Sequence, residues 1–554
     1  MLSPSRRIGG RAAAFAAVLL AASFTTASAS TADHHKFAVL KMKFSTGPQV
    51  TRACLVCHTE AATQIQGTSH WNWLGSTVTV PGHAGVYRLG KANLLNNFCI
   101  GTQSNEGSCA RCHVGFGMKD KRYDFKKPDN VDCLSCHDGT GEYVKKAPDA
   151  GGEHGAAAAA SETDWSKLAQ GVAATSIRTC GACHFNGGGA EGVKHGDLDA
   201  SLLEATKTLD VHLAKDGAGF TCSTCHRGDE AGHSIKGHMA SVDPDKKNIA
   251  ACEQCHGAAP HGRDYVYRSD SERAGGAHFE ADAERHSPWQ SLRRNWHSRR
   301  VACQTCHIPT YARVNATKLS WDWSKAGRLK EDGRPVTEYD DDGNISYLGI
   351  KGEFQWGKNV LPSYRWWNGT SGRYLLGDKF DPSRILDMNP PLGGPGDPES
   401  KIWPFKVHHG NQPFDPVNDI LIQPHLSGEK GSGAYWADFD WNRASAQGMK
   451  YAGLPFSGKV AFAKTDMYWP VTHMVTQGDH GLACADCHSR RSRLAGVGGV
   501  YIAGYDRSPA LDFLGWTAAI LSLLGIMGHG FLRWLASRGR VNHVLARMQS
   551  WRKR

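Results

Sequence analysis

Eight times along this chain a pair of cysteines brackets two residues and a histidine follows the second cysteine directly. The runs are Cys54-Cys57-His58, Cys109-Cys112-His113, Cys133-Cys136-His137, Cys180-Cys183-His184, Cys222-Cys225-His226, Cys252-Cys255-His256, Cys303-Cys306-His307 and Cys484-Cys487-His488. Two thiols at this spacing add to the vinyl groups of a haem, and the adjacent imidazole turns onto the iron as proximal ligand. A single run is equally compatible with a redox dithiol or part of a zinc site. At the Cys and His frequencies of this chain, chance supplies on the order of a few hundredths of one run. Eight runs therefore imply eight covalently attached c-type haems and their iron, and they leave Cys99 over from seventeen cysteines.

The proximal set leaves twenty histidines to supply distal ligands. Seven stand in contexts that read as ordered: His70 in SHWNW, His212 in LDVH, His233 in AGHSIKG, His261 in APHG, His297 in NWHSR, His408 in KVHHG and His473 in VTHMV. His195, His238, His286, His409, His425 and His480 remain alternatives. For any one of them a hydrogen-bonded or surface imidazole is the competing reading. His34, His35 and His543 read as solvated. An iron held by two imidazoles only passes electrons, so chemistry on a substrate needs one position that is open or weakly held.

The elements that must position these groups are hard to build from side chains alone. The chain has 554 residues but only 40% hydrophobic ones, a mean hydropathy of −0.44, and 63 Gly. Each haem adds a large apolar disc to the core. The expectation is a mainly α chain with much irregular loop, short helices carrying the runs, and little sheet, organised around the haems. Run starts are 55, 24, 47, 42, 30, 51 and then 181 residues apart, which divides the exported body into a seven-haem part (31–307) and a segment carrying the eighth (308–508). Residues 308–483 hold nine Trp with turn signals at Asp332-Gly333 and Asp342-Gly343, so they read as a folded segment wrapping the haems, its aromatics packing on porphyrin edges.

Residues 1–30 carry Arg6, Arg7 and Arg11, an apolar run and the small-residue pattern Ala27-Ser28-Ala29, as in a secretory signal. Near the other end FLGWTAAILSLLGIMGHGFL (513–532) matches a bilayer core, giving an expected transmembrane anchor over 509–536 and a basic cytoplasmic tail over 537–554. The all-basic tail places the body on the periplasmic face of the inner membrane. His529 is the one ionisable group in that run, one turn before Arg533. Either a hydrated edge position or ligation of a shared b-type haem would account for it. The formal charge of +11 suggests an anionic partner such as nucleic acid. Removing three leader arginines and seven basic tail residues leaves +1 for 31–532, and haem propionates then make the body acidic, which excludes the nucleic-acid reading.

The late eighth run, together with NNFCI (96–100), GGGAEGVKHGDLD (187–199), VACQTCHIP (301–309) and WPVTHMV (469–475), resembles the octahaem tetrathionate reductase family of c-type cytochromes over nearly the whole exported body. In that family the second haem is held by its motif His and by a lysine amine, with a cysteine close by. The resemblance implies that the haem on Cys109, Cys112 and His113 is the reactive one, that Cys99 is the cysteine, and that Lys194 is the lysine, with Lys145 and Lys146 as rivals. It implies reduction of tetrathionate to thiosulfate, and of nitrite or hydroxylamine. The anchor departs from the family and suggests a quinol or membrane b-type cytochrome as electron donor.

Chemistry supports these roles. A lysine binds iron only as the neutral amine and must therefore be desolvated. A thiolate at Cys99 could attack the central S–S bond of tetrathionate, although a small buried thiol is the plainer reading. Two other functions compete. An oxidase resembling hydroxylamine oxidoreductase would need a long helical segment and a cross-linking Tyr after the last haem, where this chain offers about twenty residues with Tyr501 and Tyr505 before the anchor. A pentahaem nitrite reductase would show a Cys-x-x-Cys-Lys run, which is absent. A non-catalytic electron conduit is the third reading.

Overall fold

The structure is a computed structural model that describes residues 32–145, 163–228, 232–235, 250–261, 264–268, 278–282, 288–538 and 541–552. The expected signal, Lys146, His238 and His286 lie outside the described residues, as does the side chain of His543. One helical turn is all that most cysteine runs supply: Leu134–His137, Cys222–Cys225, Cys252–His256, Cys303–His307 and Cys484–Cys487 are helices of four or five residues. A single turn fixes more dihedral freedom than its hydrogen bonds repay, so such helices persist only when anchored from outside. The longer Ile177–His184 starts with a reciprocal Ser176–Thr179 capping box.

The expectation of a mainly α chain with little sheet is corrected by the haem-free interval. It folds into a nine-stranded sheet: β1 (Thr317–Asp322), β2 (Thr337–Tyr339), β3 (Ile345–Leu348), β4 (Gly352–Gly357), β5 (Ser363–Trp367), β6 (Leu386–Asp387), β7 (Lys401–Asp415), β8 (Ile420–Leu421) and β9 (Ala461–Pro470). The main path runs β6-β9-β7-β1-β4-β3-β2, with β5 and β8 also paired to β7. The 15-residue β7 is the axis and pairs antiparallel with β9 from Phe405↔Pro470 to Phe414↔Ala461. Both faces of β7 are covered: Ile402, Phe405, Lys406, His408, Gln412 and Asp415 are all buried. A strand buried on both faces loses the apolar–polar alternation that announces a strand in sequence.

The sheet and the motif-bearing part share one interior. Asn97 Nδ2 donates to the His408 carbonyl at 2.6 Å, and Thr305 Oγ1 to the Ile402 carbonyl at 2.7 Å, both buried. The largest core cluster joins Leu95, Phe98, Ile100 and Val193 to Trp321, Trp323, Phe354 and Trp469. The helix Pro509–Ser537 contains an 18-residue window with a mean hydropathy of 1.7, is long enough to cross a membrane, and none of it is buried in the protein.

Candidate functional site

A continuous cavity of about 5490 Å³ runs through the protein, and both cysteines of all eight runs stand on its wall. None of the seventeen cysteines is in a disulfide. A cavity of this size, lined by every attachment pair, fits a set of covalent macrocycles. The attachment points follow an order read from which cysteines act on one another. Cys54 contacts Cys133, Cys112 contacts Cys183, Cys180 contacts Cys222, and Cys252 contacts Cys303. Cys136 lies within electrostatic reach of Cys180, Cys225 of Cys255, and Cys306 of Cys487. Runs one, three, four, five, six, seven and eight therefore form a line, and run two branches from run four.

Imidazole pairs face each other across the cavity. Two imidazoles on one metal, each nitrogen about 2 Å from it, have ring centroids on the order of 6 Å apart. His70 and His184 are 6.2 Å apart, His212 and His256 6.1 Å, His226 and His473 6.1 Å, His261 and His307 6.4 Å, and His297 and His488 5.9 Å. His34 and His58 form a sixth pair at 6.4 Å, so the expectation that His34 is solvated is corrected. Nothing in its local sequence, HHKF, distinguishes it; only the need for a distal partner could have pointed to it. His233 and His137 also line the cavity.

The other ring nitrogen is occupied in the way a metal-binding imidazole requires. Nδ1 of His137, His297 and His488 donates to the carbonyls of Ala173, Arg293 and Ala503 at 3.0, 2.8 and 3.0 Å. His233 and His261 bond to Gln64 Oε1 (2.7 Å) and Asn295 Oδ1 (3.0 Å). His473 bonds at 3.1 Å to Asp197, which also accepts from the backbone N–H of Thr472 and His473. Burial alone would raise the Asp197 pKa, but His473 and these donors outweigh it and hold the carboxyl at about 2. Fixing Nδ1–H leaves Nε2 as the free lone pair.

Two predicted ligands do not face the cavity. His408 lies inside β7 with Nδ1 3.0 Å from Asn97 Oδ1 and its ring edge-on to Phe98. The sheet claims it. His113 is the one motif histidine absent from the wall. Its ring is wrapped by Trp71, Trp73, Tyr123 and Phe125, and its Nε2 donates to the Trp71 carbonyl at 2.7 Å. An Nε2 that carries a proton has no lone pair for iron, so the expected proximal ligand of the second haem is turned away. Among the alternatives, His409 pairs with Asp466 (2.7 Å), His425 with the Ser104 carbonyl (2.7 Å), and His480 lies beside Asp479. His195 packs edge-on against Trp469 on the cavity wall.

Around Cys109 and Cys112 the structure gathers Cys99 and Lys194. The glycine loop that precedes Lys194 makes this possible. Gly188 (φ +86°) and Gly189 (φ +92°) take left-handed conformations, and a Cβ on Gly188 would meet Val193 at 2.6 Å. Its bare backbone lies against Cys99, whose thiol donates to the Gly188 carbonyl at 2.6 Å. Lys194 lines the cavity with its Nζ 4.5 Å from the Trp469 ring centre and within electrostatic reach of Cys112. Burial pulls its pKa down to about 8, and Lys91 and Arg373 add to the effect. Burial pushes the Cys99 thiol up, against the opposing pull of Lys351, Lys91 and Lys318. The rival Lys145 is committed elsewhere: its Nζ donates to the carbonyls of His113 and Gly115 and to Asp132.

A family model described as bacterial cytochrome c matches residues 318–491. The crystal structure of octaheme cytochrome c from Shewanella oneidensis aligns with a TM-score of 0.71 and 39% sequence identity, covering 84% of this chain and 96% of that one. No curated protein matches the chain.

Proposed function

The chain belongs to the octahaem c-type cytochromes, and from that premise we propose that it reduces small oxyanions, tetrathionate to thiosulfate first and nitrite or hydroxylamine at the same place. When bound, the c-type haems supply one-electron transfer along the line of attachment points and an iron at the second run that accepts a substrate. The observation that carries the reading is the asymmetry of that run. Six other motif histidines face a second imidazole, whereas His113 beside Cys109 and Cys112 is wrapped by aromatic rings, and the buried Lys194 lies within electrostatic reach of Cys112. Lys194 would ligate the iron of the second run as a replaceable amine, since protonation competes with the metal for its lone pair. His233 serves as distal partner to His137.

Cys99 supplies the sulfur chemistry. Its Sγ bonds to one central sulfur of tetrathionate, the central S–S bond breaks, and the first thiosulfate leaves while the thiol proton passes to solvent. Two electrons from the neighbouring sites then cleave the Cys99–sulfur bond, releasing the second thiosulfate and restoring the thiolate. The helix Pro509–Ser537 anchors the body to the periplasmic face of the inner membrane, where a quinol or b-type cytochrome donates electrons.

Viologen-driven reduction of tetrathionate, nitrite and hydroxylamine, set beside hydroxylamine oxidation by the same preparation, tests the reading. Reduction faster than oxidation is expected, together with carbon monoxide binding to one reduced haem. Oxidation as the faster direction would favour the oxidase, and no haem accepting carbon monoxide would leave an electron conduit.

A further inference from the structure

Three cations on the cavity wall near Cys99 have no anionic partner among the described residues. Lys91, Lys351 and Arg373 all line the cavity, and none forms an ion pair with a carboxylate among the described residues. Arg373 is enclosed by protein, and its Nε is buried without a hydrogen-bond partner. Burial pulls its pKa down to about 10, with no carboxylate close enough to oppose the loss of solvent. Aromatic rings hold the two lysines: Lys91 Nζ stands 4.5 Å from the Trp73 ring centre, and Lys351 Nζ 5.2 Å from that of Trp436 and 5.8 Å from that of Trp321. Ring faces lend only partial compensation to each ammonium.

These charges converge on the second attachment site. Lys91 and Lys351 act on Cys99, Lys91 also acts on Cys109 and Cys112, and Lys91 and Arg373 act on Lys194. Clustering like charges in a partly desolvated place is unfavourable unless an anion joins them. Haem propionates are the ordinary candidates, but they project from the edge of the macrocycle opposite the thioether bonds, and Lys91 lies beside the thioether cysteines.

We propose that Lys91, Lys351 and Arg373 form a clamp for a small dianion, placing one sulfonate end of a substrate such as tetrathionate while its central sulfurs meet Cys99. The clamp deepens the reading of the second run as the place of reaction and rests on it. Three cations around one anionic end give a preference that grows with substrate charge and weakens with ionic strength. Neutral hydroxylamine gains least from it.

The test uses the full-length holoprotein and two variants, Arg373→Gln and Lys351→Gln. Isothermal titration of the oxidised protein with thiosulfate, a dianion with no disulfide to reduce, reads the site without turnover. Wild type is expected to bind, more weakly as salt rises, and each variant to lose at least tenfold in affinity while all haem absorption bands stay unchanged. In steady state the variants raise KM most for tetrathionate, less for nitrite and least for hydroxylamine. A changed spectrum of one haem, or equal losses for all three substrates, would show that these residues support the haem and overturn the clamp. Thiosulfate binding that ignores both substitutions would overturn it too. Arg373-dependent thiosulfate binding by a protein that reduces none of the three substrates would keep the clamp and remove the reductase.

Discussion

His34 and His408 show how an isolated histidine misleads. His34 sits in a polar stretch at the start of the exported body, yet its ring stacks over His58 at the separation a shared metal demands. His34→Ala should convert one haem of eight from low to high spin and leave the other seven unchanged, a difference that low-temperature electron paramagnetic resonance resolves. His408 looks ordered in KVHHG because it is ordered, by the sheet. The runs were legible because covalent chemistry fixes spacing, whereas a distal ligand comes from any distance along the chain. Cys99 was legible as an odd thiol, but its environment was not. Burial raises its pKa, so only a minor fraction is thiolate at neutral pH. Below that raised pKa the thiolate fraction grows about tenfold per pH unit. Tetrathionate turnover is therefore expected to climb between pH 7 and 9, and Cys99→Ser to abolish both the turnover and the climb. A flat profile in the unmodified protein would remove the thiol from the rate-limiting step.

The nine-stranded sheet was the least legible element. Segments such as SYRWW and KIWPFKVHH carry aromatic and β-branched residues suited to strands, but burial on both faces of β7 removes its alternation, and Pro404 and Pro413 argue against a central strand. Their pairing becomes visible only in contacts between strands far apart in sequence. One such contact is testable. His409 on β7 and Asp466 on β9 are register partners, 2.7 Å apart, and the hydrogen bond His409 donates to Asp466 raises the His409 pKa. A histidine raised in the folded state stabilises fully below its unfolded value of about 6.5, and that contribution disappears as pH rises through the folded value. His409 is 60% exposed at its side chain, so screening limits the effect. His409→Gln is expected to cost less than about 1 kcal/mol at pH 6 and nothing at pH 9, read from thermal unfolding of the holoprotein at both pH values. An equal loss at the two pH values would mean that packing, not charge, links the strands there.

At the scale of the whole molecule, the basic charge that first drew attention belongs to the two ends of the chain, while the body concentrates a few cations that pair with no carboxylate among the described residues. The apolar helix Pro509–Ser537 touches nothing in the body that would bury it. A chain ending after Arg507 should retain all eight haems by pyridine haemochrome assay and move from the membrane fraction to the soluble one; loss of haem would mean that the helix is part of the fold. The cavity also constrains how the protein can be made. Its wall draws on residues from Ala32 to Ala503, while 308–332, 404–424 and 440–466 in the sheet part stay off it. Synthesis delivers the chain from its N-terminus, and seven attachment runs emerge before the first strand of the sheet, with the eighth only after the last. That order leaves one ligation, at Cys484 and Cys487, for after the sheet is complete. A chain missed at that step carries a finished sheet beside an unsupported end, so the proteolytic susceptibility of the segment around the eighth run reports whether assembly was completed.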